Sequence, residues 1–115
     1  MENKKTAKVL SFPMPEKAAW EIIRRTVELD EGGVRFTYHA KTRMQERGVS
    51  SIQVINVMKS QSSRMNEGPY QAPGGDWKCE IEGCAAGVAI KIALAIQDYP
   101  DEEKVIVITV ISDSN

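Results

Sequence analysis

The sequence has only two cysteines, Cys79 and Cys84, and a single histidine, His39. Two cysteines are too few for the disulfide framework of a small secreted protein, and no second ligand pair completes a zinc site. We interpret both as reduced thiols of a cytoplasmic protein, with a local disulfide as the alternative. No cluster of Asp, Glu and His has metal-ligand spacing, so the sequence predicts neither a metal site nor a cofactor.

Long hydrophobic runs are also lacking. The longest apolar tract, residues 84–96, is broken by Lys91 and is shorter than the roughly 18 to 20 apolar residues that cross a bilayer. No apolar run follows the charges of residues 1–10, as it would in a signal peptide. These absences predict that the protein has no membrane partner.

Neither sign of charge is in excess. The 115 residues include 15 Lys and Arg and 16 Asp and Glu, for a formal net charge of −1. Proteins that bind nucleic acid over a wide surface usually have an excess of basic residues, so any such site here has to be local. The charges are segregated enough to allow this, because basic residues cluster at 41–47 and acidic residues at 28–31 and 98–103.

We expect one domain at residues 14–115, because this length fits a single core of typical size. Residues 1–13 are lysine-rich and predict a flexible basic arm that ends at Pro13. Apolar residues at helical spacing then predict helices near 15–30, 38–47 and 50–60. Their markers are the stripe of Trp20, Ile23 and Val27, a helix stop at Gly48, and a capping box formed by Ser50 and Gln53. In the third helix, we expect Ile52, Val54, Ile55 and Met58 to pack on a sheet.

From Arg64 the pattern changes from helical to alternating. Trp77, Cys79 and Ile81 share one face of a predicted strand, which we expect to turn at Glu82-Gly83. A second strand follows at 88–96. The pattern predicts an antiparallel sheet over about 64–111, preceded by a short candidate strand at 34–37. The fold class is therefore α+β, with N-terminal helices packed on a C-terminal antiparallel sheet.

Residues 105–111 are apolar on both faces and predict a central strand. Val107 and Ile108 should then both be buried, on opposite faces. Replacing Ile108 by alanine is expected to cost about 2 to 5 kcal/mol.

The segment 38–48 contains the candidate functional residues. His39, Arg43 and Arg47 are four residues apart in succession, which places all three on one face of a helix. Arginine presents a rigid donor fork to anionic oxygens, and histidine changes its charge near neutral pH, so this trio suits phosphate chemistry. The alternative is that the histidine is a surface or capping residue and that the arginines are only solvated.

This segment also supports a resemblance to a known family. The motif His39-Ala40-x-x-Arg43-Met44-x-x-Arg47-Gly48-Val49, the helix after it and the apolar strands that end at 107–110 resemble a family of small bacterial domains of unknown function. That family has been grouped with the RelE/ParE-like and BrnT-like toxins of toxin–antitoxin systems. The resemblance covers roughly residues 35–111 and implies a RelE/ParE-like fold, with the first helix as an extension.

The resemblance to RelE-like ribonucleases implies a bacterial toxin that acts as a metal-independent RNA endonuclease, with RNA or the ribosome and a cognate antitoxin as partners. Attack of a ribose 2′-hydroxyl on the neighbouring phosphate needs a base, an acid and cations. His39 would be the base or acid, and Arg43 and Arg47 would hold the phosphate. Tyr38 and Lys41 are further substrate-binding candidates. Thr109, carried over from the family as the polar residue of the last strand, would position the phosphate, or it is simply a β-branched strand residue.

A second class of function remains open. The domain would then be a non-catalytic protein-binding module, either a ParE-like inhibitor or an uncharacterised regulatory protein. In that case His39, Arg43 and Arg47 would contact an acidic partner or attach the helix to the sheet. A plain structural protein would leave them as solvated surface.

Overall fold

A computed structural model of the chain describes residues 14–29, 33–99 and 103–112. The predicted basic arm, residues 1–13, lies outside these ranges. In chain order the elements within them are α1 (Glu16–Leu29), β1 (Val34–Phe36), α2 (Tyr38–Arg47), α3 (Ser51–Lys59), β2 (Arg64–Gln71), β3 (Trp77–Ala85), β4 (Val88–Gln97) and β5 (Lys104–Ser112). The α+β class and the positions of the helices are confirmed.

The strands form one sheet in the order β1-β5-β4-β3-β2. Strands β2 to β5 are an antiparallel meander, as the alternating pattern predicted. Strand β1 differs, because it pairs parallel to β5, with Val34 opposite Val105. The sequence analysis predicted only antiparallel pairing. Parallel neighbours require a long crossover connection, and here two helices and three strands separate β1 from β5.

The predicted turn at Glu82-Gly83 is wrong. Strand β3 continues to Ala85, and the chain reverses at Ala86 and Gly87, which have φ angles of 55° and 78°. A Cβ atom at Gly83 would overlap the Ser63 Oγ atom. This glycine therefore lets the segment after α3 approach the sheet closely.

The three helices cover one face of the sheet, and the core lies between the two layers. Strand β4 contributes the centre of this core, since Ile90, Ile92, Leu94 and Ile96 have no exposed surface. Among the helices of the described ranges, none combines the length and apolar character that a membrane-spanning helix requires.

The other side of the sheet, which we call the open face, bears alternating residues of the three inner strands. They are Lys78, Glu80 and Glu82 on β3, Lys91, Ala93 and Ala95 on β4, and Ile106, Thr109 and Ile111 on β5.

Of the two residues of β5 that were predicted to be buried, Val107 is buried and Ile108 is not. Val107 is fully buried against the helices, whereas Ile108 is only half-buried. The ladder between β4 and β5 shifts register at this point, because Val107 lies opposite Leu94 and Thr109 lies opposite Ala93. Ile108 is the extra residue of a bulge, so it is not packed beneath a second layer.

Candidate functional site

Thr37 fixes the start of α2 against β5. Its Oγ1 atom accepts a hydrogen bond from the Ala40 amide at 3.0 Å and donates one to the Ile108 carbonyl, also at 3.0 Å. The Thr37 amide donates to the Val107 carbonyl at 3.1 Å. Thr37 thus caps the helix and joins it to the bulge of β5. Tyr38 and His39 follow directly and are held at this junction.

The helix brings His39, Arg43 and Arg47 together along one flank. Ala40 and Met44 form the packed side of α2, with 0% and 7% of their surface exposed. His39 precedes Ala40 by one position, Arg43 precedes Met44 by one position, and Arg47 follows Met44 by three, which at 3.6 residues per turn places the trio beside the packed side. His39 and Arg47 are exposed, and the Arg43 side chain is 42% exposed. We call this flank the His39 stripe.

The His39 stripe has a local excess of positive charge. The stripe contains two permanent cations, Arg43 and Arg47, and the one acidic residue of helix α2 is Glu46. The Arg43 Nη1 atom lies 3.2 Å from the Glu46 Oε1 atom, in an exposed pair of the kind that contributes little to stability. Arg47 lies in the last turn, where the negative end of the helix dipole also favours a cation. The stripe can therefore attract an anion although the whole chain carries a slight negative charge.

Lys41 lies on the other flank of α2. It lines an apolar groove of about 490 Å³ between β1, α2 and α3. The eight residues around this groove are Val34, Phe36, Lys41, Met44, Ser51, Ile52, Ile55 and Asn56. The structure therefore separates Lys41 from the His39 stripe. Tyr38 is 85% exposed and turned away from the packed side.

Thr109 is the chain neighbour of the residue that anchors the start of α2. It is half-buried, on the open face, and follows Ile108, whose carbonyl accepts the Thr37 hydrogen bond. That bond anchors the helix end that carries His39, so the backbone next to Thr109 is linked to the start of α2, while the Thr109 side chain lies on the open face.

A polar cluster at the far side of the open face was not singled out from the sequence. The Asn66 Nδ2 atom donates to the Glu82 Oε1 atom at 2.8 Å and to the Glu80 Oε2 atom at 3.2 Å. This hydrogen bond to Glu82, with the Arg64 and Lys91 cations nearby, holds the pKa of the Glu82 carboxyl below its ordinary value. The cluster therefore favours the charged form of the Glu82 carboxyl, beside the Arg64 and Lys91 cations. The alternation of β3 indicated the two glutamates, but their amide partner depends on the pairing of β2 with β3.

The groove was missed because one of its residues was expected to be buried. Val54, Ile55 and Met58 do pack in the core, as predicted, but Ile52 is 70% exposed. Ile52 lies in the first turn of α3 and is turned away from Val54 and Met58, toward the rim of the groove. The apolar pattern of a helix does not show where the sheet beneath that helix ends. Ile52 lies beyond the part of α3 that packs on the sheet.

Comparison with known proteins gives one match. The family described as Domain of unknown function (DUF4258) matches residues 36–112. No curated protein and no solved structure matches the chain. The matched segment runs from the last residue of β1 to the last residue of β5 and includes the His39 stripe and the meander, but not α1. The chain therefore belongs to the DUF4258 family, and α1 lies before the matched segment.

Proposed function

We propose that this protein is a metal-independent RNA endonuclease and the toxin of a bacterial toxin–antitoxin system. The observation that carries the proposal is the His39 stripe, which places one titratable imidazole and two guanidinium groups on a continuous, accessible helix flank. The resemblance of the motif to RelE/ParE-like and BrnT-like toxins supplies the reaction class. RNA, free or on the ribosome, is then the substrate, and a cognate antitoxin is the expected protein partner.

Each of these residues has its own role in the proposed reaction. His39 removes the proton from the ribose 2′-hydroxyl or returns one to the leaving oxygen. Arg43 and Arg47 bind the phosphate oxygens, where negative charge grows in the transition state. Four residues of helix span roughly 6 Å, so the two guanidinium groups reach one phosphate or its neighbour. Thr109 orients the phosphate from β5, Tyr38 borders the site, and Lys41 is left out because it lies on the other flank.

The decisive variant is His39→Ala. With purified protein and single-stranded RNA, cleavage should fall by about 100-fold or more, since a positioned proton-transfer group contributes roughly 10² to 10⁴ in rate. RNA affinity should change little, because the imidazole acts in the transition state more than in the bound complex. Expression of both proteins in a bacterium should show growth arrest and RNA loss with the wild type alone.

Arg43→Ala tests phosphate binding, and Lys41→Ala is its matched control. Both remove one cation from α2, but from opposite flanks. Removing a phosphate contact should weaken RNA binding and reduce the slope of log K against log salt by about 0.7. Lys41→Ala should leave both the affinity and the slope unchanged. Equal losses in the two variants would show that only the net charge of the helix matters.

The groove favours a second candidate function, a non-catalytic protein-binding module. Exposed Ile52 continues the apolar lining of the groove at its rim, and a contiguous apolar surface of this kind marks a binding site. If His39→Ala and Arg43→Ala both retain full growth inhibition with cellular RNA unchanged, the nuclease proposal fails and this function replaces it.

A further inference from the structure

The groove runs along an edge of the sheet. Among the described strands, β1 is the last on its side of the sheet, and Val34 and Phe36 form the floor of the groove. Met44 of α2 and Ile55 of α3 form apolar walls, and exposed Ile52 stands at the rim. The groove therefore joins a buried apolar surface to the side of β1 that pairs with no other strand of the described ranges.

Part of the β1 backbone is directed toward this second side of the strand. The Thr37 amide donates a hydrogen bond to the Val107 carbonyl. In a parallel pair, the backbone groups of every second residue point toward the partner strand, so the N–H and C=O groups of Arg35 also point toward β5. The corresponding groups of Val34 and Phe36 point the other way, along the edge beside the groove. An edge strand with outward backbone groups is a template for one more extended segment.

The electrostatic character of the groove is positive. None of its eight lining residues is acidic, and Lys41 is basic. Ser51 and Ile52 occupy the first turn of α3, where the helix dipole has its positive end. Helix α3 itself has no Asp or Glu. A ligand with carboxylates beside apolar side chains complements these walls.

We propose that the groove binds an extended, acidic segment of a partner protein. The segment pairs with β1 as an additional strand, places alternate apolar side chains between Met44 and Ile55, and directs a carboxylate to Lys41. This inference is independent of RNA cleavage, because the groove and the His39 stripe lie on opposite flanks of α2.

Selection of random displayed peptides of about ten residues on the full-length protein tests the proposal. Peptides with alternating apolar residues and at least one Asp or Glu should be enriched. Their synthetic forms should lose at least tenfold in affinity with Lys41→Glu and with Ile52→Glu. Lys17→Glu, a charge reversal at the exposed start of α1, is the matched control and should bind as the wild type does.

Pairing between the bound peptide and β1 can be measured separately from affinity. N-methylation of the peptide backbone should abolish binding at every second position and be tolerated at the positions between, because only alternate amides face β1. The Val34 and Phe36 amides should also gain protection from hydrogen exchange when the peptide binds.

Several results would overturn the proposal. They are selection of helical or basic peptides, absence of any peptide sensitive to Lys41→Glu and Ile52→Glu, or an N-methyl scan without alternation. Dimerisation of the protein alone that Ile52→Glu abolishes would also overturn it, because a second copy would then be the occupant. Loss of RNA cleavage in His39→Ala with peptide binding intact would show that the two sites act separately.

Discussion

At the scale of single residues, the two cysteines of β3 show how alternation along a strand controls chemistry. Cys79 and Cys84 are five positions apart, so they face opposite sides of the sheet. Both are free thiols, and the local disulfide considered from the sequence does not form. Cys79 is buried in the core, whereas Cys84 is exposed.

We predict that the native protein reacts with thiol reagents at Cys84 alone. Burial, with the Glu16 carboxylate nearby, raises the pKa of the Cys79 thiol to about 12. Because the thiolate is the reactive form, Cys79 should stay unreactive as the pH rises from 7 to 10. Mass spectrometry after iodoacetamide treatment should find one modified cysteine in the native protein and two in guanidinium chloride. Modification of native Cys79 at pH 8 would show that the β3 core opens readily.

Gly83 provides a second prediction at this scale. Its absent Cβ would lie 3.1 Å from the Ser63 Cβ atom and 3.2 Å from the Val57 Cγ1 atom, in addition to its overlap with the Ser63 hydroxyl. Gly83→Ala should therefore lower the free energy of unfolding by about 1 to 3 kcal/mol in denaturant melts. Adding Ser63→Gly should restore part of the loss. Gly74→Ala is the control, since nothing lies within 4 Å of a Cβ there. Equal stability of Gly83→Ala and Gly74→Ala would contradict the close contact.

At the scale of elements, the junction between α2 and β5 determines the geometry of the candidate site. The β5 bulge at Ile108 turns a carbonyl to Thr37, and Thr37 caps the helix that carries His39. The same bulge removes Ile108 from the core. One local irregularity thus changes both the packing of the strand and the placement of the site.

We predict that Val107→Ala is more destabilising than Ile108→Ala, although isoleucine loses more atoms. Val107 is fully buried, so its loss leaves a cavity and should cost about 2 kcal/mol. Ile108 is half-buried, and its replacement should cost about 1 kcal/mol or less, below the 2 to 5 kcal/mol expected from the sequence pattern. Urea unfolding of the two variants checks the order. A larger loss at Ile108 would indicate that a further layer covers the open face.

At the scale of the whole molecule, α1 belongs to the core although it precedes the DUF4258 segment. Its buried residues are Ala19, Trp20, Ile22, Ile23 and Val27. Each large apolar side chain contributes roughly 1.5 to 3 kcal/mol when buried. The sum is comparable to the total stability of a typical domain, about 5 to 15 kcal/mol.

A fragment of residues 34–115 should consequently fail to fold. It should show no cooperative thermal transition by circular dichroism and should bind a hydrophobic dye. A fragment of residues 14–115 is the control and should melt cooperatively. A native-like melt of the shorter fragment would mean that the family segment forms a complete core without α1.

The sequence by itself determined the elements and the fold class. Helical spacing around Trp20 and Met58, capping by Ser50 and Gly48, and alternation from Arg64 onward are local signals, because each depends on neighbours within one or two turns or along one strand. The common face of His39, Arg43 and Arg47 follows from the same local geometry, and all three lie in α2 as expected.

Only the tertiary structure decided where these elements meet. The parallel placement of β1, the bulge at Ile108, the close contact at Gly83 and the groove that Lys41 lines depend on residues far apart in the chain. A strand pattern indicates which face is apolar but not which strand lies beside it, and a helix pattern does not indicate where the sheet beneath it ends. Ile52 is exposed, and the groove is present at the edge of β1, because of where the sheet ends beneath α3. That position is set by the packing of the helices on the sheet.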